Sequence, residues 1–368
     1  MRPTKILILD TYYARFVQQV YQSQPDLASK PYQEQLAVFL SQHFGTGDSY
    51  SHYLRQQGYE VVDVIADNLT LQRQWAKEHE LKVRQWPHLP LFGQYTDRLP
   101  LYRILEAQIA EFQPDILYCQ NLTFCDPLFL KKLKRQVKLV VGQIACPLPP
   151  TPFVKGFDLI LTSFPHFVQR LQSLGVRSEY FMIGFEERIL PLLTDVTEKK
   201  YDVVFIGGFS KVHRDSTQAL EALAKVVPVD VWGYGINTLP ANSVLRQRYH
   251  GEAWAMDMYR TIKQAKICIN RHSSAAENFA NNMRLFETTG LGTFLLTDQK
   301  QNLTDLFTID QEIAAYGSAD ELISKVRYYL EHAVEREAIA KAGQQRTLKD
   351  HTYRQRMTEL DQILKRYL

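Results

Sequence analysis

The chain is poor in cysteine, and its four, Cys119, Cys125, Cys146 and Cys268, form no CxxC pair. That removes the common zinc frameworks and a disulfide scaffold and leaves reduced, mostly buried thiols. It also lacks any apolar run near the ~20 residues that a bilayer demands. MRPTKILILD runs straight into charge, without the apolar core of a signal peptide. Together these absences give the expectation of a cytoplasmic protein, at most peripheral to a membrane. An excess of one charge is missing as well: 43 Lys and Arg face 40 Asp and Glu, for a net +3. A dedicated nucleic-acid binder is far more lopsided, so no nucleic-acid partner is expected. The balance still leaves room for a local basic patch meeting a phosphorylated ligand or an anionic membrane surface. No Walker A run, no HExxH, no short repeat and no low-complexity tract is present.

What is there is a globular composition, 45% hydrophobic and 23% charged over 368 residues, a length suited to two domains. Short apolar runs of parallel-strand type recur in the first half: KILILD from Lys5, EVVDVIA from Glu60, DILYC from Asp115, VKLVVG from Val137 and DLILTS from Asp158. Helical patterns lie between them, which argues a parallel sheet covered on both faces. Glu80 to Pro100 breaks the alternation with three prolines and three aromatics, among them Trp86, and reads as an ordered loop. The pattern breaks again around Gly184 to Lys200, then restarts at YDVVFIGG with a second alternating set. The expected organisation is an N-terminal Rossmann-like domain over 1–184, a linker over 185–200, a C-terminal Rossmann-like domain over 201–350, and a final helix over 351–368. Two such α/β halves imply a cleft, and open α/β sheets bind ligands at the carboxyl ends of their strands. Ser318 and Glu321 have the spacing of a capping box.

The most informative stretch is NRHSSAAENFANNMRLFETTGLGTFLLTD, from Asn270 to Asp298. A buried strand ends in a polar loop, a helix follows, and a glycine turn leads to the next strand. The helix start offers free N–H groups and a positive dipole end to a diphosphate, with Asn281, Asn282 and Arg284 as added donors. Glu287 lies inside the helix. By spacing alone it is a solvated residue paired with Arg284; turned toward a cleft, it accepts hydrogen bonds from two neighbouring sugar hydroxyls.

This stretch resembles the C-terminal signature of the CgeB-like (spore-protein-like) glycosyltransferases within the GT-B group, through Asn282, Arg284, Phe286, Glu287, Gly290, Gly292, Thr297 and Asp298. Tyr316, Glu321 and His351-Thr352-Tyr353 with Arg356 extend the resemblance, and YDVVFIGGFSKVHRD is similar to the opening of the family's donor domain. It implies a GT-B-like fold of two Rossmann-like domains whose parallel sheets face a central cleft, with the C-terminal helix crossing back. It implies transfer of a sugar from a nucleotide diphosphate sugar, used as co-substrate, to a hydroxyl of a glycan, lipid-linked or protein acceptor, with no cofactor and no metal.

Glu287 matches the second glutamate of the wider group's paired-glutamate motif, which holds the nucleotide ribose. The first glutamate falls at Phe279, a departure that weighs against a retaining mechanism of the paired-glutamate kind. Lys211 and Arg214 follow the glycine turn and, by the resemblance, neutralise the departing diphosphate; the alternative makes them exposed charges at a helix start. Trp254 lies in the region that frames the base, or is simply core at that spacing.

In the first half, FGTGDSYSHYLR lacks the third glycine of a dinucleotide fingerprint. Its glycine turn and helix resemble an acceptor-side loop, where Asp48 and His52, one turn apart, are the candidate bases. An ordinary N-cap at Asp48 and a packed or solvated His52 is the other reading. Asp10, Tyr12, Asn121 and His166 are weaker candidates, and no nucleophile–base–orienter triad emerges. Two rival functions stay open: a nucleotide-sugar epimerase on the same fold, and a non-catalytic sugar- or partner-binding protein.

Overall fold

The computed structural model describes residues 2–83, 98–210 and 214–368, the side chains of 214–216 excepted. Trp86 and Lys211 therefore lie outside the described residues, and Arg214 is described by its backbone alone. The chain divides into two compact units, Met1–Phe181 with Met357–Leu368, and Met182–Arg356.

In the first unit six strands make one parallel sheet in the order β2-β1-β3-β4-β5-β6: β1 Lys5–Asp10, β2 Glu60–Ile65, β3 Ile116–Cys119, β4 Leu139–Ile144, β5 Leu159–Thr162 and β6 Ser178–Tyr180. The helices here are α1 Ala14–Ser23, α2 Tyr32–Ser41, α3 Ser49–Gln56, α4 Leu69–Glu78, α5 Leu99–Phe112, α6 Pro127–Leu133 and α7 Pro165–Ser173. Helices on both faces require strands that are apolar on both sides. β3, β4 and β5 accordingly have every residue buried. The apolar runs of the sequence became these strands with ends moved by at most two residues. β6 is only three residues long, too short to show a period.

The second unit carries a five-stranded parallel sheet in the order β11-β10-β9-β7-β8: β7 Tyr201–Ile206, β8 Asp230–Trp232, β9 Ala265–Asn270, β10 Phe294–Asp298 and β11 Ala314–Tyr316. Its helices are α8 Arg214–Ala224, α9 Ala255–Lys263, α10 Met283–Gly290, α11 Ala319–Glu331 and α12 Ala333–Asp350. The last helix, α13 Tyr353–Tyr367, begins in this unit, and from Met357 onward its residues belong to the first. The segment read as a linker is not a bare connection. A short helix over Glu187–Leu193 buries Ile189 and Leu193 completely in the second unit's core. The Ser318 cap forms as its spacing predicts, with Ser318 Oγ accepting from the Glu321 N–H at 3.1 Å, while Glu321 Oε2 reaches one residue further back and accepts from the N–H of Gly317 at 2.8 Å.

Among the described residues, no helix is long and apolar enough to cross a membrane.

Candidate functional site

In the second sheet the chain leaves β7 outward to β8, then returns past β7 to lay down β9 on its other side. The turns after β7 and β9 therefore part in opposite directions and open a crevice at their carboxyl ends. Gly207 and Gly208 follow β7; Arg271 and His272 follow β9.

The glycines are there for close approach. A Cβ on Gly208 would meet the Tyr234 ring at 2.4 Å, and one on Gly233, which has φ +139°, would meet the Gly207 carbonyl oxygen at 2.0 Å. The turns after β7 and β8 thus lie backbone on backbone, with Gly207 N–H donating to Trp232 O at 3.0 Å. Tyr234 runs parallel to Trp254, with centroids 6.1 Å apart, and Trp254 Nε1 donates to Glu252 Oε2 at 3.2 Å. Trp254 is the N-cap residue of α9, so the structure brings it beside the switch through Tyr234.

Two guanidinium groups hold the end of β7. Arg271, 6% exposed, donates from Nη2 to Gly208 O at 2.8 Å and from Nη1 to Thr217 Oγ1 at 2.6 Å. Its plane sits over the Phe205 and Phe209 rings, at 4.7 and 5.2 Å. Burial lowers its pKa to about 10, opposed by Tyr316, Asp298 and Tyr234. Arg284, from the first turn of α10, reaches Ile206 O at 3.4 Å with Nη2 and Glu287 Oε2 at 2.8 Å with Nη1. Sequence reasoning missed Arg271. The signal was a cation directly after a buried strand, and nothing in the sequence says which turn that cation meets.

The ion pair between Arg284 and Glu287 forms, but Glu287 is not solvated. It is buried at 6% exposure, and burial raises its pKa against the charge of Arg284 and a hydrogen bond from Tyr259. One carboxylate of such a pair cannot be removed without stranding the other charge. The helix begins at Met283, with Asn282 as N-cap. Asn282 and Asn270 form a reciprocal amide pair at 2.8 and 3.1 Å, and Asn282 Nδ2 also donates to Arg271 O at 3.0 Å. Asn282 therefore ties the N-terminus of α10 to the end of β9. Asn281, just before it, is 4% exposed.

His272 closes the other side. Its Nδ1 lies 2.6 Å from Asp298 Oδ1, which also accepts the His272 N–H at 3.1 Å. Burial works against the Asp298 carboxylate, and the His272 contacts with nearby Lys300 outweigh it, so its pKa is held below the usual value.

In the first unit, Asp48 is the N-cap residue of α3 but makes no side-chain cap; its carboxylate lies 3.9 Å from His43 Nδ1. The ring of His52 has Nε2 at 2.9 Å from Gln56 Nε2. The side-chain cap of the second reading of Asp48 is thus not made. His351, Thr352 and Arg356 are structural: His351 Nε2 meets Leu306 O at 3.0 Å, and Arg356 Nε donates to Ile183 O at 3.1 Å. Phe185 N–H donates to His351 O and Tyr353 N–H to Phe185 O. Burial lowers the pKa of His351 to about 4, so it is held neutral.

Residues 214–362 match the model of a family described as glycosyl transferase-like. A search of the curated proteins finds no match. Among solved structures, the chain is similar to HepE of Anabaena in complex with UDP-glucose, at 14% identity and TM-score 0.61 over 98% of this chain and 99% of that one. It is also similar to sucrose-phosphate synthase of Thermosynechococcus elongatus, at 11% identity and TM-score 0.60 over 99% and 98%. A glycosyltransferase of Rickettsia africae matches at 11% identity and TM-score 0.60 over 100% and 99%. At such identities the likeness shows the fold, which is GT-B.

Proposed function

The chain carries a glycosyl transferase-like domain over residues 214–362, and on that premise we propose that it transfers a sugar from a uridine diphosphate sugar to an acceptor hydroxyl. The observation that carries the reading is the pair of guanidinium groups of Arg271 and Arg284 on the carbonyls of Gly208 and Ile206, at the β7/β9 switch. A departing nucleoside diphosphate gains negative charge as the glycosidic bond breaks. Fixed cations in a site shielded from water lower that barrier without reorganising. Lys211 and Arg214 come after that turn in the sequence, and Asn281 and Asn282 stand at the start of α10.

Trp254 with Tyr234 offers an aromatic wall for the base. Glu287 holds Arg284 in place, and its contact with ribose, which the family resemblance implies, follows once donor binding opens the pair. The choice of uridine is supported by HepE, whose complexes contain UDP-glucose and UDP. With these cations the transfer needs no metal, and turnover withstands a chelator. The CgeB-like subtype rests on the motif from Asn282 to Asp298.

The test is a thermal-shift series with UDP, ADP and GDP on the wild type and on Arg271→Gln, each against its own ligand-free melting point. A ligand at 100 times its Kd adds about 2.7 kcal/mol to the folded state. UDP is expected to stabilise the wild type and not the variant. If none of the three shifts the wild type at millimolar concentration, the reading fails.

A further inference from the structure

One face of the first sheet holds a cavity that the donor chemistry leaves unused. In the parallel register Lys5 pairs with Glu60 and Leu7 with Val62. Lys5 and Leu7 of β1 and Val62 and Val64 of β2 therefore project from the same face. α2 packs on α4, and α4 on α5. Between these helices and the two strands lies a cavity of about 400 Å³, within the ~300–1,000 Å³ of small-molecule sites. Lys5 is on its lining and opens β1, so the cavity reaches the amino ends of the strands. The order β2-β1-β3 puts the switch point of this sheet at the opposite, carboxyl ends.

Leu7, Leu36, Leu40, Val64 and Trp75 give the cavity an apolar wall, and Gln108 is set among them, 6% exposed. Gln72 Nε2 donates to Ile65 O and Gln108 Nε2 to Gln72 Oε1, both at 2.9 Å. The chain of amides stops there. Gln108 Oε1 is buried beside Tyr32 with no hydrogen-bond partner among the described residues. Asp63, also on the lining and 8% exposed, accepts from Arg55 Nη2 on Oδ2 at 3.3 Å, and its buried Oδ1 has no partner among the described residues. Leaving a buried acceptor unpaired forfeits its hydration without return. Both atoms call for a donor, from a ligand or a water.

The charges around the cavity argue against an ionic ligand. Lys5 and Arg55 on the lining are matched by Asp63 and Glu111. Both cations are also engaged by backbone. Lys5 Nζ donates to Phe112 O at 3.2 Å, and Arg55 donates to Val61 O at 3.1 Å from Nε and 2.7 Å from Nη2. A further charge brought into this apolar wall would stay unbalanced. What the site lacks is a neutral donor.

We infer that this cavity seats a neutral small molecule with an apolar body and a hydroxyl group, the hydroxyl donating to Gln108 Oε1. The body lies against Leu36, Leu40 and Trp75, and the exposed Gln33 and Ala37 stand at the mouth. The inference stands apart from the donor reading, since it uses residues of the first unit alone.

The experiment titrates p-cresol and p-xylene, which differ by a hydroxyl for a methyl, against the full chain by saturation-transfer NMR. The wild type is expected to bind p-cresol, and to bind p-xylene about 10-fold more weakly or worse, because only the hydroxyl satisfies the unpaired acceptor. Gln108→Leu is expected to remove that preference. Ala37→Trp and Leu40→Trp, which crowd the cavity from α2, are expected to weaken p-cresol binding. If the wild type binds neither probe, the cavity holds water only and the inference falls. It falls equally if both probes bind alike, since the cavity is then an apolar void, or if Gln108→Leu keeps the preference. If both tryptophan variants bind p-cresol as the wild type does, the probe sits elsewhere and the inference is overturned. Should Gln108→Leu fail to fold, the two probes on the wild type and on the tryptophan variants decide.

Discussion

Asp10, Asp63 and Asp67 are carboxyls whose pKa values burial raises to about 7, 6 and 6 from an ordinary 3.8. A raised carboxyl binds its proton more tightly in the folded chain than in the unfolded one. Between about pH 4 and pH 7 the folded state therefore holds more protons, and stability falls as pH rises through that window, then levels off above it. Asp10→Asn removes the largest of these contributions. Its melting point is expected to exceed that of the wild type at about pH 8 and to match it more closely near pH 4, read from melting curves across that range. At neutral pH the ionised carboxyl of Asp10 therefore weakens the fold. Arg271 and Glu287 are likewise charges held out of water, Arg271 on the carbonyl of Gly208 and Glu287 on Arg284.

At the scale of the element, α10 shows why its glycine end belongs to the motif. A Cβ on Gly290 would lie 2.4 Å from the Phe185 ring, and Phe185 is fully buried between α10 and the His351–Tyr353 turn through its backbone pairing. Gly290→Ala is expected to destabilise the protein by about 1–3 kcal/mol, the range for overpacking, measured by chemical denaturation. Adding Phe185→Leu is expected to recover part of that loss. The motif was legible as a strand, loop, helix and glycine turn because those elements are local. The partner that makes Gly290 necessary lies about a hundred positions earlier in the chain, and nothing near Gly290 announces it. The pairing of Asn282 with Asn270 likewise ties the N-cap of α10 to the end of β9.

At the scale of the molecule, the chain passes from the first unit to the second and returns for its last residues. The returning part of α13 buries Leu360 and Leu364 completely. Tyr59 donates its hydroxyl to Asp361 at 2.8 Å, and Arg366 and Tyr367 both meet Glu179. Leu360→Ala is expected to cost about 2–5 kcal/mol. Amide hydrogen exchange is expected to show the loss in β1 to β6, while β7 to β11 keep wild-type protection.

The sequence by itself determined the longer strands, their parallel pairing, the break before Tyr201 and the presence of the final helix, because periodicity and turn residues act over a few positions. It also carried the motif from Asn282 to Asp298. Only the tertiary structure decided where the two switch points fall, since strand order depends on which side each crossover takes. That order brings Arg271 to Gly208 and sets Asn121 against Thr11. It also decided that Glu287 is buried, with the side chains of Tyr259 and Arg284 against its carboxylate. Local pattern names the elements; burial and strand order select the residues that carry charge to the site.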